Sequence, residues 1–433
     1  MKLGSPHFLN GAMCALLAGA VAAACGSDSG KRSVRVEDGG AGGGGADAGT
    51  HSGGGTAQPR PVGGNGGAPE PVASSGNGGV PVSPTAGEGG VALVANGGVP
   101  SDGGAGGAPE TLPAVNCDTI VIADPQLEAA VRYALDTSGE ITPEAAASIT
   151  DLGSANYSNI TTLAGIECFT GVTDLYLGIG GQPSNIQDLT PLRYLKKLTK
   201  LDLSYNSLTT LATLAKLPNL QQLNLTGAVK HVPLAPLASA PALSSLQLDN
   251  CQLDDLAPLA NISTLNHLEL NFSTLSAPNS LSALLNIKEL LVANVLSDAT
   301  PLAALTQLQL LDVSNHPLTS FNKLSSLVNL TSLNASYTGI SNITAVGSMT
   351  KLSELKAVFD DIADLSPLQA LTQLKILYLN ANPITDISAL VNNAGIGTGD
   401  DINLGGTSLD CPTQTTNVAA LVARGVSYNG PCN

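Results

Sequence analysis

The chain has 433 residues, a net charge of -16, 12% charged residues and no tryptophan. So acidic a chain does not suit the phosphate backbone of a nucleic acid, and no nucleic-acid partner is expected. Its 48 glycines exceed what a wholly packed chain would carry and point to a stretch that does not fold.

Residues 1–25 read as an export signal. Lys2 precedes an apolar run over 11–24, too short to span a bilayer as a stable helix. The run ends Val21-Ala22-Ala23-Ala24-Cys25-Gly26. This resembles a bacterial lipobox, which implies that Cys25 becomes the lipid-modified first residue of the mature protein. Ala22 stands where the lipobox favours leucine, and the same Ala-x-Ala suits ordinary signal peptidase. The resemblance, with Gly26 beside the cysteine, implies an outer-membrane or cell-surface lipoprotein. A secreted or periplasmic protein is the alternative.

Residues 26–116 read as a disordered tether of Gly, Pro and Ala, with motifs such as GGNGGAPEP. Glycine costs most to order, and little here is apolar enough to offset that cost. As a flexible coil the tether would span about 50 Å. One GGxGxD match, Gly42–Asp47, has no tandem copies and is assigned no calcium.

Residues 117–171 are expected to form an N-terminal cap and a first degenerate repeat. Asp124 followed by Pro125 is a helix start, and Thr142-Pro143-Glu144 repeats the signal. Leu127, Ala130, Val131 and Leu135 make one apolar face.

Residues 172–410 are a repeat. Leucine or isoleucine recurs at Leu198, Leu220, Leu243, Leu265, Ile287, Leu308, Leu330, Leu352 and Leu374, with steps of 21 to 23 residues. A fixed period in this range means a solenoid. Pairs two apart, such as Leu201 and Leu203, mark a short strand with both side chains turned inward. Leu208, Leu211, Leu214 and Leu217 fill the returning arc. One unit cannot bury its apolar face, but a stack shares one core. The spacing resembles the leucine-rich repeat family, specifically the short repeats of bacterial internalins. The resemblance implies an α/β solenoid of about eleven coils, with a parallel sheet on the concave face and helical caps. It also implies a ladder of asparagines after the strands. That slot holds Asn206, Cys251, Ser273, His316, Thr338, Asp360 and Asn382, with Ala228 breaking it and Asn294 or Val295 taking it in the 21-residue unit.

Residues 411–433 read as the C-terminal cap, with a short helix over 417–424 and Gly425 past its end. Exported chains favour disulfides. Cys411 is expected to pair with Cys432, and Cys117 with Cys168. Cys251, in the ladder slot, is expected to be buried and inert.

There is no HExxH, P-loop, CxxC or GxSxG. No set of groups is forced to converge as nucleophilic or metal catalysis requires, so the chain reads as non-catalytic, with no cofactor and no metal. The informative surface is the set of strand positions that flank the core leucines. The partner-binding candidates there are Tyr176, Asp202, Tyr205, Asp249, His267, Glu269, Phe272, Asp312, Tyr337, Glu354, Phe359 and Tyr378. Seven flanking positions between 174 and 378 are acidic, against two lysines. The chain has only eight Tyr and five Phe, and six of them fall on this face. Aromatics among polar neighbours make binding hot spots. Packing of Phe272, Tyr337 and Phe359 over the ladder, and a solvated acidic face, are the bland alternatives. The expected function is a monomeric envelope lipoprotein that holds a protein or peptide on its concave face and meets the membrane only through its lipid. A glycan or peptidoglycan binder and a purely structural spacer are the alternatives.

Overall fold

The computed structural model describes residues 112–153, 159–178, 185–318 and 321–432. The candidate lipidation site Cys25, the export signal and nearly all of the tether lie outside the described residues.

The chain first forms helix α1 (Pro125–Leu135) and helix α2 (Pro143–Ser148). Both start as the sequence predicts. Asp124 Oδ1 accepts from the N–H groups of Gln126 (2.9 Å) and Leu127 (3.2 Å), satisfying donors that the first turn leaves open. Its other oxygen accepts from Thr161 N (2.7 Å) and Thr161 Oγ1 (3.0 Å), which ties the cap to the first coil. Burial opposes the charge on Asp124, but these bonds outweigh it and hold the carboxyl below its usual range.

A parallel sheet of thirteen strands follows. Most strands are three residues long, and each pairs in register with the next. Leu201 pairs with Leu223, Leu223 with Leu246, and Leu246 with Leu268. The middle residue of each is buried and its two neighbours are half-exposed or exposed, as in Lys200–Asp202 and Glu354–Lys356. The count exceeds the expected eleven coils because both ends contribute a strand. Asp151–Leu152 opens the sheet beside Asp174–Tyr176, and Ser427–Asn429 closes it against Asp401–Asn403. A second small sheet, Gln252–Leu253 against Thr274–Leu275, was not expected from sequence.

The returning arcs are 3₁₀ turns, several of which carry proline in the first two places, as in Ala235–Ser239 and Ala257–Asn261. Proline lacks the N–H that a first turn cannot satisfy. Leu208, Leu211, Leu214 and Leu217 are all buried against the strand leucines. Burial of each such side chain stabilises the stack by about 1.5–3 kcal/mol.

Helix α3 (Ser388–Asn392) replaces the last arc, and helix α4 (Cys411–Ala423) covers the final coil. Helix α4 is longer than the expected 417–424, because Pro412 starts it at Cys411. Both expected disulfides are present, Cys117–Cys168 and Cys411–Cys432. Cys251 is free and buried.

Candidate functional site

The ladder slot explains how the sheet face is held. Asn206 Nδ2 donates to the carbonyl of Leu203 (3.1 Å), and its Oδ1 accepts from Ile186 N (3.1 Å) in the preceding coil. Asn382 repeats this with Leu379 O (3.0 Å) and Ile362 N (2.9 Å). The substituted slots keep the pattern. Ser273 donates to Leu248 O (2.6 Å) and accepts from Cys251 N (2.9 Å). His316 lies 2.7 Å from Val313 O and accepts at Nε2 from Val295 N (2.7 Å), which places its ring hydrogen on Nδ1. Its pKa is lowered, chiefly by burial, in keeping with a neutral ring. The slot of the 21-residue unit is therefore Val295, with Asn294 one place before it.

The residue before each slot has a left-handed backbone. Tyr205, Asn250, Phe272, Asn294, Asn315, Tyr337, Phe359 and Ala381 have φ between 53° and 60°, and Gly227 has φ 66°. This conformation costs an L-residue about 1–2 kcal/mol. The ladder enforces it, since each N–H at this place donates to a carbonyl of the next coil. Examples are Phe272 to Ala293 (2.8 Å), Tyr337 to Val358 (2.9 Å) and Phe359 to Asn380 (2.9 Å).

The aromatics divide into two groups. Tyr176 and Tyr205 are half-buried, and their rings lie over Gly153 and Gly227 of neighbouring coils, leaving no room for a Cβ there. They pack. Phe272, Tyr337 and Phe359 do the reverse of folding back over the ladder, being 44%, 53% and 57% exposed. Tyr205 shares their left-handed backbone but meets Gly227 in the next coil, whereas Phe272 meets Asn294, Tyr337 meets Phe359 and Phe359 meets Ala381 at that place. Tyr337 and Phe359 stack, with centroids 5.0 Å apart and planes 16° from parallel. Tyr378 sits two strand positions away from Glu354, between charges. Its hydroxyl donates to Asp401 Oδ2 (2.7 Å), and Lys356 Nζ lies 5.9 Å from its ring centroid. Glu354 is paired with that lysine, and accepts from Ser332 Oγ (3.0 Å).

The acidic residues are knitted across the strands. Asp202 accepts from Asn224 Nδ2 (3.0 Å), and Asp312 from Asn334 Nδ2 (2.9 Å). In the middle, His267 bridges two carboxylates, Glu269 through Nε2 and Glu289 through Nδ1, both at 2.8 Å. Burial works against a charged ring, but the two carboxylates prevail and the His267 pKa is raised. Asp249 corrects an expectation. It is buried rather than on the open face, because it lies past the strand where the coil begins to turn, and it accepts from Asn271 N (2.7 Å). Burial first, then the nearby Glu269, pushes its pKa up to about 6. Among the described residues no group of three or more His, Cys, Asp and Glu is arranged to hold a metal ion.

A family model described as leucine rich repeat matches residues 167–228. An internalin of Listeria monocytogenes, InlF, superposes with a TM-score of 0.61 at 26% identity, over 75% of this chain and 94% of that one. The chain carries leucine-rich repeats and is similar in fold to the bacterial internalins. A leucine-rich repeat protein of Leptospira interrogans shares the fold, with a TM-score of 0.53 at 18% identity, over 67% of this chain and 81% of that one. A search of the curated proteins gave no match. Proteins of the leucine-rich repeat fold commonly mediate protein–protein interaction. Two groups on the sheet were not singled out by the sequence as sites. Glu289 completes the histidine bridge, and Asp401 holds the Tyr378 hydroxyl. The signal for Glu289 was its place in register with His267, whereas Asp401 pairs with Ile376 and reaches Tyr378 on the diagonal.

Proposed function

We propose that this leucine-rich repeat protein is a non-catalytic envelope protein that binds a protein or peptide on the outward face of its sheet. The observation that carries the reading is the exposed Tyr337–Phe359 stack, with Phe272 at the same place three coils earlier. Each of these rings sits at a strained left-handed residue that any coil could have filled with glycine, and Gly227 does so. Rings held this way offer contact area at little further loss of freedom. Glu289, Glu354 and Asp401, on strands of the same sheet, favour a partner with lysine or arginine.

Two disulfides support export to an oxidising compartment. Attachment through Cys25, with residues 26–116 as the spacer, is part of the same reading. So are the monomeric state and a location at the outer membrane or cell surface.

The test is a random peptide display library panned against the full chain. Enrichment of basic peptides, lost when Tyr337→Ala and Phe359→Ala are combined, is the expected result. Retention of binding by the double variant, or binding of soluble peptidoglycan fragments in place of peptides, would overturn it.

A further inference from the structure

Ala228 and Val295 leave the ladder slot without a polar side chain, but the other coils fill it with one that gives as well as takes. Asn206, Cys251, Ser273, His316, Thr338, Asn382 and Thr407 each place a hydrogen-bearing atom against a backbone carbonyl. Asp360 occupies the same slot and is 5% exposed. As a carboxylate it has no hydrogen to give.

Its two oxygens are treated unequally. Oδ1 accepts from Thr338 N (2.7 Å) and Gly339 N (2.8 Å). Thr338 Oγ1 is also near it, at 3.0 Å, but that hydroxyl has one hydrogen and lies closer to Ala335 O, at 2.8 Å. Oδ2 is shut off from solvent and accepts nothing. An ionised oxygen in that place would be buried with no donor at all, which is costly. The equivalent atom of Asn382, one coil on, indicates what surrounds Oδ2. Asn382 Nδ2 donates to carbonyls 25, 3 and 2 residues before it, those of Ala357, Leu379 and Asn380. The matching carbonyls for Asp360 are those of Ala335, Ala357 and Val358. Each already accepts once, from Thr338 Oγ1, Asn382 Nδ2 and Tyr337 N, and its remaining lone pair suits a donor and repels an ionised oxygen.

We infer that Asp360 is carried as the neutral acid in the folded chain, its Oδ2 hydrogen given to these carbonyls, and that losing this proton loosens the turns presenting Tyr337 and Phe359. Asp360 directly follows Phe359, and its Oδ1 holds the two residues that follow Tyr337. The groups facing it are uncharged. Thr338 and Asn382 fill the slot in the coils on either side, and the neighbouring Asp361 points to solvent. Burial, the first cause, raises the proton affinity of Asp360 against the pull of its hydrogen bonds. The acid thus supplies what asparagine supplies elsewhere, but only while protonated. Any consequence for binding rests on the reading of the sheet face above, whereas the proton on Asp360 does not.

The experiment compares the full chain with Asp360→Asn, by denaturant midpoint and slope, between pH 4 and pH 9. Asparagine gives and takes at every pH. The expected result is a stability gap in favour of the variant that opens with pH. It should widen by about tenfold in the folding equilibrium constant per pH unit above the free-carboxyl value, then level off once Asp360 ionises. Asp360→Thr, copying the slot of Thr338, should give the same widening gap. A gap independent of pH in both variants would overturn the inference. At pH 6 the full chain should show an infrared carboxylic-acid band that Asp360→Asn lacks, and its absence would overturn the inference as well. For the turns, amide exchange at Tyr337 and Phe359, corrected for intrinsic rates, should lose protection in the full chain relative to the variant as pH rises. Unchanged protection would refute the coupling. None of these measurements involves a partner, so a failure of the binding reading would leave them standing.

Discussion

Tyr337 and Phe359 stand 22 residues apart, stack at 5.0 Å, and are both left-handed, with φ of 60° and 58°. The pair joins two costs, strain in the backbone and exposure of the rings, and neither is needed by the coil. Replacing Phe359 with glycine removes left-handed strain of about 1–2 kcal/mol and forfeits a ring pair of about 0.5–1.5 kcal/mol. These nearly cancel. Phe359→Gly should therefore leave the denaturation midpoint almost unchanged while weakening peptide binding. A loss of several kcal/mol in stability would show that the ring is a packing element.

Where a slot side chain is already bonded, its loss should be costly, although Ala228 and Val295 show that a coil can form without one. Asn382→Leu orphans Ile362 N and the carbonyls of Ala357 and Leu379, each buried group costing about 1–3 kcal/mol. Cys251→Ser should be close to neutral, because Ser273 already fills the slot one coil on. Urea denaturation of the two variants checks both, and the difference between them matters more than either value.

The histidine bridge sets a pH dependence. Asp249, raised to about 6, contributes stability that is complete below its unfolded value and is lost as pH rises through 6. At 1.36 kcal/mol per unit the loss is about 3 kcal/mol at most. His267 is also raised, so its contribution is complete below its unfolded pKa and lost as pH climbs through the higher folded one. Both act in the same sense. Asp249→Asn should abolish its share of the decline between pH 4 and 6, and His267→Gln its share above the ordinary histidine range. Midpoints measured in 0.5 M salt as well would show little screening for Asp249, because it is buried.

The disulfides close loops of 51 and 21 residues. By chain entropy they stabilise the fold by about 4 and about 3 kcal/mol. Cys168→Ala should thus lower the thermal midpoint more than Cys432→Ala. Its effect should concentrate in helix α1, which Cys117 and Asp124 together pin to the first coils, and proteolysis after reduction would reveal it there.

Much of this was legible before any coordinates. The leucine spacing placed every core position of the coil Leu198–Leu217, and the flanking rule put Lys200 and Asp202 outward. Asp124 and Thr142 announced their helices, and the four cap cysteines paired as expected. What escaped was conformational. The residues Gly227, Asn250, Asn294 and Asn315 share one column with Tyr205, Phe272, Tyr337 and Phe359, and glycine and asparagine are the residues that accept a left-handed backbone. Reading that column as a turn would have shown that Tyr205 meets a glycine in the next coil, while Phe272, Tyr337 and Phe359 each meet a side chain. Asp249 was misplaced because alternation holds only within a strand, and the strand here ends at Gln247. The demand on Asp360 lay in the difference between an asparagine and an aspartate in one slot, which counts hydrogens rather than apolar side chains.

The most direct measurement places a photo-crosslinking phenylalanine analogue at Tyr337 in the full chain, in its native cells. A matched control carries it at Leu285, which is 55% exposed in the turn between an arc and the next strand. A discrete protein or peptide adduct from position 337, absent from position 285 and reduced by Phe359→Ala, is the result predicted for a partner held on the sheet face. Adducts of equal yield from both positions, or a discrete adduct from 285 alone, would contradict it.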